Sequence, residues 1–192
     1  IGGQSTTNSA AQALNVSGEA VAEESTYQST GLWADQIKVD ADATIQGIGG
    51  ATSSADASST EGEADANAAT VYAYGAQVDN LTVGGIANVT GQASFDGSAS
   101  ADTVVGIAEA HAYLDDSYGL DADFSSIASD AQLTGLSNVA NLASAQATSD
   151  GLAMADSETD DSVGAYLYSS EIGGVASIGG QSTTNSAAQA LN

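Results

Sequence analysis

The stretch IKVDADATIQG, residues Ile37–Gly47, alternates apolar or small side chains with polar or charged ones. In an extended chain one face would carry Ile37, Val39, Ala41, Ala43, Ile45 and Gly47. Successive side chains of a β-strand point to opposite faces, so a period of two predicts a strand with one buried face.

The end of this stretch opens a pattern, Ala-x-(Ile/Val/Leu)-x-Gly, that recurs along the chain. It occurs at Ala43–Gly47, Ala87–Gly91, Ala131–Gly135 and Ala176–Gly180, with closing glycines 44, 44 and 45 residues apart. A second pattern, Gly-x-Ala-x-Ala, has the same spacings and begins at Gly18, Gly62, Gly106 and Gly151. We therefore predict an all-β chain, a β-solenoid or stacked-rung β-sheet array of repeats of about 44 residues.

A longer repetition relates the two ends of the chain. Residues 178–192, IGGQSTTNSAAQALN, are identical to residues 1–15, at a spacing of 177 residues. Four repeats would fill such a unit, and residues 1–192 would form a single continuous array. Its quarters are approximately residues 37–80, 81–126, 127–171, and 172–192 continuing as 16–36. We expect the chain to be an excerpt of a longer tandem protein.

Two features of the architecture stay open at this stage. A repeat could form one turn of about 44 residues or two of about 22, which at the usual spacing between strands gives a rise of about 19 Å or about 38 Å per 177-residue unit. Ala-rich pieces such as Ser186–Asn192 could be helical, because Ala is the best helix former. The persistent alternation and the lack of acid–base pairs favour strands.

The composition predicts a thin core. Most apolar residues are Ala, which buries little area, and the chain has 22 Gly and no Pro. Stacked repeats would also align a polar ladder, with side chains able to hydrogen-bond along the axis. Its members are Thr44, Asn88, Gln132 and Ser177.

The charge excludes several classes of partner. Lys38 is the only basic side chain besides His111, whereas 25 residues are acidic, for a net charge of −24. Such a chain cannot grip nucleic-acid phosphates or anionic membranes, and cations are its natural counterparts. No apolar run is long enough to span a bilayer, so we expect no membrane insertion in this segment. The absence of cysteine excludes disulfides and thiolate metal sites.

Closely spaced acidic residues are the candidate metal ligands. Hard carboxylate oxygens suit Ca²⁺, although neither an EF-hand loop nor a calcium-binding nonapeptide repeat is present. A solvated acidic face is the alternative, and no other cofactor is expected. The candidates are Asp40, Asp42, Asp121, Asp123, Asp160 and Asp161, with further acids at Asp115, Asp116 and Glu158.

The sequence also bears on glycosylation and on catalysis. Asn15, Asn80 and Asn88 begin N-glycosylation sequons. His111 is the only imidazole, and no Ser, His and carboxylate set is clustered in the sequence. Pairs of carboxylates can hydrolyse glycosides, but pairs are expected everywhere among 25 acids. We predict that the chain is not an enzyme.

The stretch SIGGQSTTNSAAQALN, Ser177–Asn192, resembles the repeats of bacterial functional amyloids of the curli and Fap type, in which Gln, Gly, Asn and Ala recur between short strands. The resemblance implies an extracellular biofilm-matrix or surface fibre. In style the chain is also similar to repetitive β-solenoid adhesins and to the heads of trimeric autotransporters, although a period of 44 fits the latter poorly.

The predicted function is that of a structural repeat module of an extracellular filament, biofilm-matrix fibre or adhesin shaft. Its partners would be copies of itself along the fibre axis and screening cations, and its location would be extracellular or at the cell surface. The alternative is a solenoid surface that binds ice or polysaccharide. Such a surface needs a regular row of identical Thr or aromatic side chains, and the ladder positions vary in type.

Overall fold

The computed structural model describes all 192 residues and consists of β-strands joined by short turns. The strands are β1 (Gly2–Ser17), β2 (Ala20–Ala34), β3 (Ile37–Val39), β4 (Ala43–Val83), β5 (Ala87–Ile127), β6 (Ala131–Ala147), β7 (Leu152–Ile172) and β8 (Ala176–Leu191). The all-β prediction is confirmed, and the Ala-rich ends of the chain are extended. The structure contains no helix that is long and apolar enough to cross a membrane.

All eight strands pair in parallel within one sheet. The order is β1-β4-β5-β6-β8, with β2 and β3 also on β4 and with β7 on β5. Ala43 of β4 pairs with Ala87, 44 residues further on, and Ile107 of β5 pairs with Leu152, 45 residues further on. No strand pairing has an interval near 22 residues, so each turn of the chain uses 44 or 45. A sheet of this kind is compatible with a β-solenoid.

Each turn of the chain folds back on itself, so that its two halves lie face to face. The bend in β4 is at Gly62, whose φ of 125° favours glycine. Across the interior, the Oγ of Ser53 donates to the carbonyl of Ala69 at 3.4 Å. We call the first halves layer A (β1, residues 43–59 and 87–103, β6 and β8) and the second halves layer B (β2, β3, residues 64–83 and 107–127, and β7).

The two layers touch through their backbones at a row of glycines. A Cβ atom added to Gly91 would contact the carbonyl oxygen of Gly119 in the opposite layer. Gly47 stands in the same way against Gly75, and Gly135 against Gly164. Any larger residue at these positions would force the layers apart.

The buried side chains form three clusters with different chemistry. The end near Gly62 is packed with alanines alone. The opposite end holds Ile, Val and Leu besides Ala, with Ile45 and Leu133 each only 1 % exposed. Between them, Phe95 packs with Leu114 and other apolar residues. The interior thus changes along the strands from methyl groups to branched aliphatic side chains.

One strand predicted from the sequence is interrupted in the structure. β3 ends at Val39, β4 begins at Ala43, and Ala41 between them is exposed. The interruption arises because the chain crosses there from layer B to layer A, so Ile37 and Ile45 face the same interior from opposite sides. A single alternating strand over residues 37–47 was therefore the wrong interpretation.

Candidate functional site

The acidic residues are distributed unequally between the two layers. Only Asp56, Asp96 and Asp102 lie in layer A, and the other 22 of the 25 lie in layer B or in the turns. Inward and outward side chains alternate along layer A, and the outward ones are mostly Ser, Thr, Asn and Gln. We call this outward surface of layer A the neutral face and the outward surface of layer B the acidic face.

The predicted calcium ligands lie in three separate places. Asp40 and Asp42 are in the turn between β3 and β4, Asp121 and Asp123 are on β5, and Asp160 and Asp161 are on β7. Across all 192 residues, no group of three or more His, Asp or Glu side chains is arranged so that it could hold a metal ion. Calcium binding stays a prediction.

Carboxylates on the acidic face repel one another. Burial, followed by the charges of Asp123 and Asp79, raises the pKa of Asp121 to about 6, although a hydrogen bond of 3.4 Å from Gln77 Nε2 opposes the shift. Burial and the neighbouring acids Asp115, Asp161 and Asp160 likewise raise the pKa of Asp116. Asp116 and Asp161 are register partners on adjacent strands, which accounts for part of this repulsion.

A row of five tyrosines runs across the strands of layer B. Tyr27 contacts Tyr72 edge to face, with ring centroids 5.7 Å apart, and Tyr72 is 6.0 Å from Tyr74. Tyr74 then stacks on Tyr118 at 5.4 Å with an interplanar angle of 9°, and Tyr118 contacts Tyr166 at 6.1 Å. We call these residues the tyrosine row.

Sequence reasoning missed the tyrosine row as a connected feature. The available signal was the spacing of Tyr74 and Tyr118, which are 44 residues apart and register partners. The other members sit at different positions of the turn, so no fixed spacing reveals them. Burial, together with the charges of Asp121 and Asp116, raises the pKa of Tyr74, which favours a protonated phenol there.

The members of the predicted polar ladder are neighbours in register. Thr44 pairs with Asn88, Asn88 with Gln132, and Gln132 with Ser177. All four side chains are exposed on the neutral face, and no hydrogen bond joins one of them to the next.

Hydrogen-bonded side chains instead lie inside, in a chain of serines that sequence reasoning missed. Ser137 Oγ donates to Ser117 Oγ at 2.8 Å and lies 2.9 Å from Ser162 Oγ. Ser162 continues to Ser182 at 2.7 Å. The chain passes repeatedly between layers A and B and links them by polar contacts.

The sequon asparagines are all exposed near the ends of strands. Asn15 Nδ2 donates to the carbonyl of Glu19 at 2.9 Å, and Asn80 Nδ2 donates to the carbonyl of Asp35 at 3.1 Å. Asn88 lies on the neutral face. Glycosylation stays a prediction for each of them.

The only imidazole and the only side-chain amine lie on different strands, His111 on β5 and Lys38 on β3. His111 Nε2 lies 4.0 Å from Glu109 Oε2 at the surface. Lys38 is exposed on β3. Neither makes a side-chain hydrogen bond to a serine or threonine hydroxyl.

The terminal strands expose positions that internal strands bury. Ile45, Val89, Leu133 and Ile178 are successive register partners. The first three are 1–2 % exposed, whereas Ile178 on β8 is 54 % exposed. At the other end of the sheet Ile1 is 63 % exposed.

No protein-family model matches the chain, and neither a curated protein nor a solved structure is significantly similar to it.

Proposed function

We propose that the chain is a β-solenoid segment with a thin Ala- and Gly-rich core that serves as a structural repeat module of an extracellular filament, biofilm-matrix fibre or adhesin shaft. The observation that carries the proposal is the exposure of Ile178, at a position where Ile45, Val89 and Leu133 are buried. Covering such a side chain with another rung would contribute about 2 kcal/mol. The ends of the sheet therefore favour continuation of the stack.

The identity of residues 1–15 and 178–192 indicates what the continuing rung would be. Ile1 makes two backbone hydrogen bonds to β4. Its N–H donates to the carbonyl of Thr44 at 2.9 Å, and its carbonyl accepts from the N–H of Gln46 at 3.0 Å. β8 has the sequence of β1 and offers the same set of groups to a following strand. A rung with the sequence of β4 fits beneath it in a longer tandem chain, and in end-to-end assembly the β1 edge of a second copy would take that place.

The acidity suits a fibre in a medium that contains cations. Stacking places like charges on adjacent rungs, as with Asp116 and Asp161, and this repulsion grows with every rung added. Counter-ions within a Debye length, about 8 Å at physiological ionic strength, reduce it. The extracellular or cell-surface location rests on this composition and on the resemblance to surface fibres, and the proposal includes Ca²⁺ as a screening ion.

A substitution on the free edge of β1 tests end-to-end assembly. In a parallel strand the N–H groups of successive residues point to opposite edges. Because Ile1 bonds to β4, the alternate residues, which include Asn8, direct their N–H groups to the free edge. Asn8→Pro removes one of these donors without removing a hydrogen bond to β4 or a core side chain. We expect the wild-type chain to form filaments in electron micrographs and Asn8→Pro to shorten or abolish them.

The matched control is Asn8→Ala, which keeps the N–H group and should keep the filaments. Circular dichroism of all three proteins would establish that the strands are retained. A wild-type chain that stays monomeric at high concentration and in the presence of Ca²⁺ would contradict the proposal.

A second candidate function is the binding of a polysaccharide, which the tyrosine row favours. Aromatic rings beside carboxylates can contact the apolar faces and the hydroxyl groups of sugars. Tyr118→Ala interrupts the row, whereas Tyr168→Ala removes an aromatic side chain that packs on Phe124, outside the row. Loss of co-sedimentation with insoluble polysaccharides in the first variant alone would support this function.

A further inference from the structure

We infer that the neutral face is a lateral association surface whose occupant is the neutral face of a second copy of this chain. It differs from the axial contact proposed above, because it uses outward side chains and not the hydrogen-bonding edges of terminal strands. With lateral pairing, a filament would consist of two parallel columns of stacked modules. It can also occur between chains that do not polymerise end to end.

The charge distribution determines which faces can meet. Two copies that approached through their acidic faces would bring most of their carboxylates together. On the neutral face, Asp56 and Asp102 lie towards the bend at Gly62, which leaves Asp96 as the one acidic residue over the rest of the surface. At a net charge of −24, pairing through the neutral face carries the smallest repulsion.

The dimensions of the neutral face are sufficient for a stable contact. It is formed by five adjacent strands, β1, β4, β5, β6 and β8. With about 4.8 Å between strands and about 3.3 Å per residue, some 16 residues of each strand give a face of roughly 1,000 Å². A stable protein interface needs about 800 Å² from each partner.

The side chains of the neutral face suit a second copy of the same surface. Apart from Asp56, Asp96 and Asp102 they are uncharged, most of them are Ser, Thr, Asn or Gln, and similar types recur on successive strands, as with the register partners Thr90 and Thr134. Rows of Ser, Thr, Asn and Gln can interdigitate with an identical set of rows, as in the dry interfaces between paired cross-β sheets. Because similar side chains recur on each rung, two copies of the face can fit together in registers that differ by a whole rung.

Removal of the central charge tests the inference by a gain of association. Asp96→Asn should tighten lateral pairing about three- to tenfold, because a like charge is removed from both partners. The matched control is Asp65→Asn, which makes the same change of net charge on the acidic face. Sedimentation velocity at concentrations below those at which filaments form would measure the monomer–dimer equilibrium.

The reverse change tests the same surface by a loss. Thr90→Asp adds a charge to β5, the central strand of the neutral face, and should abolish dimers, whereas Asn67→Asp adds one to the acidic face and should leave them unchanged. In filaments of the wild-type chain, lateral pairing doubles the mass per length measured by electron microscopy.

The outcomes separate this inference from the proposed function. Filaments whose mass per length equals that of a single stack of modules, and does not change in Asp96→Asn, would overturn lateral pairing. The proposed filament function would remain. Dimers without filaments would support the pairing and contradict the filament. The inference would also be overturned if the chain stayed monomeric and bound a neutral polysaccharide, and if Thr90→Asp abolished that binding. The neutral face would then be a ligand-binding surface.

Discussion

The Oδ1 atom of Asp42 accepts a hydrogen bond of 2.8 Å from the backbone N–H of Ile86, which lies 44 residues further along the chain. Asp130 Oδ1 accepts a bond of the same length from the N–H of Val175. In both cases the turn that receives support carries two glycines before the donor residue, and a side chain on Gly85 would contact the Asp42 carboxylate. Turns that carry an Asp thus alternate with turns that carry Gly-Gly.

Removal of the Asp42 carboxylate should weaken the contact between successive turns. We expect Asp42→Ala to lower the free energy of unfolding by about 1 kcal/mol, because the Ile86 N–H loses its protein partner but can still reach water. Asp42→Asn keeps an oxygen acceptor and should lose less. The midpoint of guanidinium unfolding, followed by circular dichroism, measures the difference. Asp40→Ala in the same turn is the control, and an equal loss in that variant would refute the assigned role of Asp42.

The contact between layers at Gly91 should not tolerate a methyl group. Gly91→Ala would drive a Cβ atom against the Gly119 carbonyl, and overpacking of this kind costs about 1–3 kcal/mol or more. Gly50→Ala is the matched control, because its added Cβ would approach nothing closer than the Ser94 carbonyl oxygen at 3.7 Å. Denaturant midpoints should fall strongly for the first variant and stay nearly constant for the second. Similar midpoints for the two variants would mean that the layers at Gly91 and Gly119 are farther apart than in the structure.

Stability should decrease as the pH rises from about 4 to about 6. Burial and the charges of Asp123 and Asp79 raise the folded-state pKa of Asp121 from 3.8 to about 6, so the folded chain binds this proton more tightly than the unfolded chain. The resulting loss in the free energy of unfolding is absent below pH 3.8 and complete above about pH 6, where it amounts to about 1 kcal/mol after allowance for solvent screening.

Unfolding by denaturant at pH 4, 5, 6 and 7 measures this dependence. Asp121→Asn should flatten the profile between pH 4 and 6, while Asp65→Asn, which removes the same charge elsewhere on the acidic face, is the control and should leave the decrease in place. A wild-type stability that does not fall between pH 4 and 6 would contradict the assignment. An equal fall in the Asp121→Asn and Asp65→Asn variants would contradict it as well.

Stacking of Tyr74 on Tyr118 should appear as a coupling free energy. A double-mutant cycle with Tyr74→Leu and Tyr118→Leu is expected to give about 0.5–1.5 kcal/mol in favour of the pair. The same cycle between Tyr74 and Tyr168, which do not contact each other, should give a value within about 0.5 kcal/mol of zero. Coupling of equal size in both cycles would indicate a general rearrangement of layer B.

Local alternation was sufficient to predict much of the interior. Ile37, Ala43 and Ile45 were expected to be buried from the alternation of residues 37–47 alone, and all three are buried. The same reasoning was wrong at Ala41, because alternation does not reveal where a chain passes from one layer to the other. The acids and sequons were found as residue types, but their surroundings were not.

The sequence by itself determined that the chain is extended, which side chains share a face of a strand, and how strongly negative the molecule is. These properties depend only on neighbouring residues and on composition. The tertiary structure decided that the acids lie mainly in layer B and the turns, that five tyrosines form one row, and that Asp42 supports Ile86. Apart from the contact of Tyr72 with Tyr74, those relationships join residues 44 or more positions apart or distinguish one layer from the other. They depend on the placement of the bends and on strand register, which a period of two leaves undetermined.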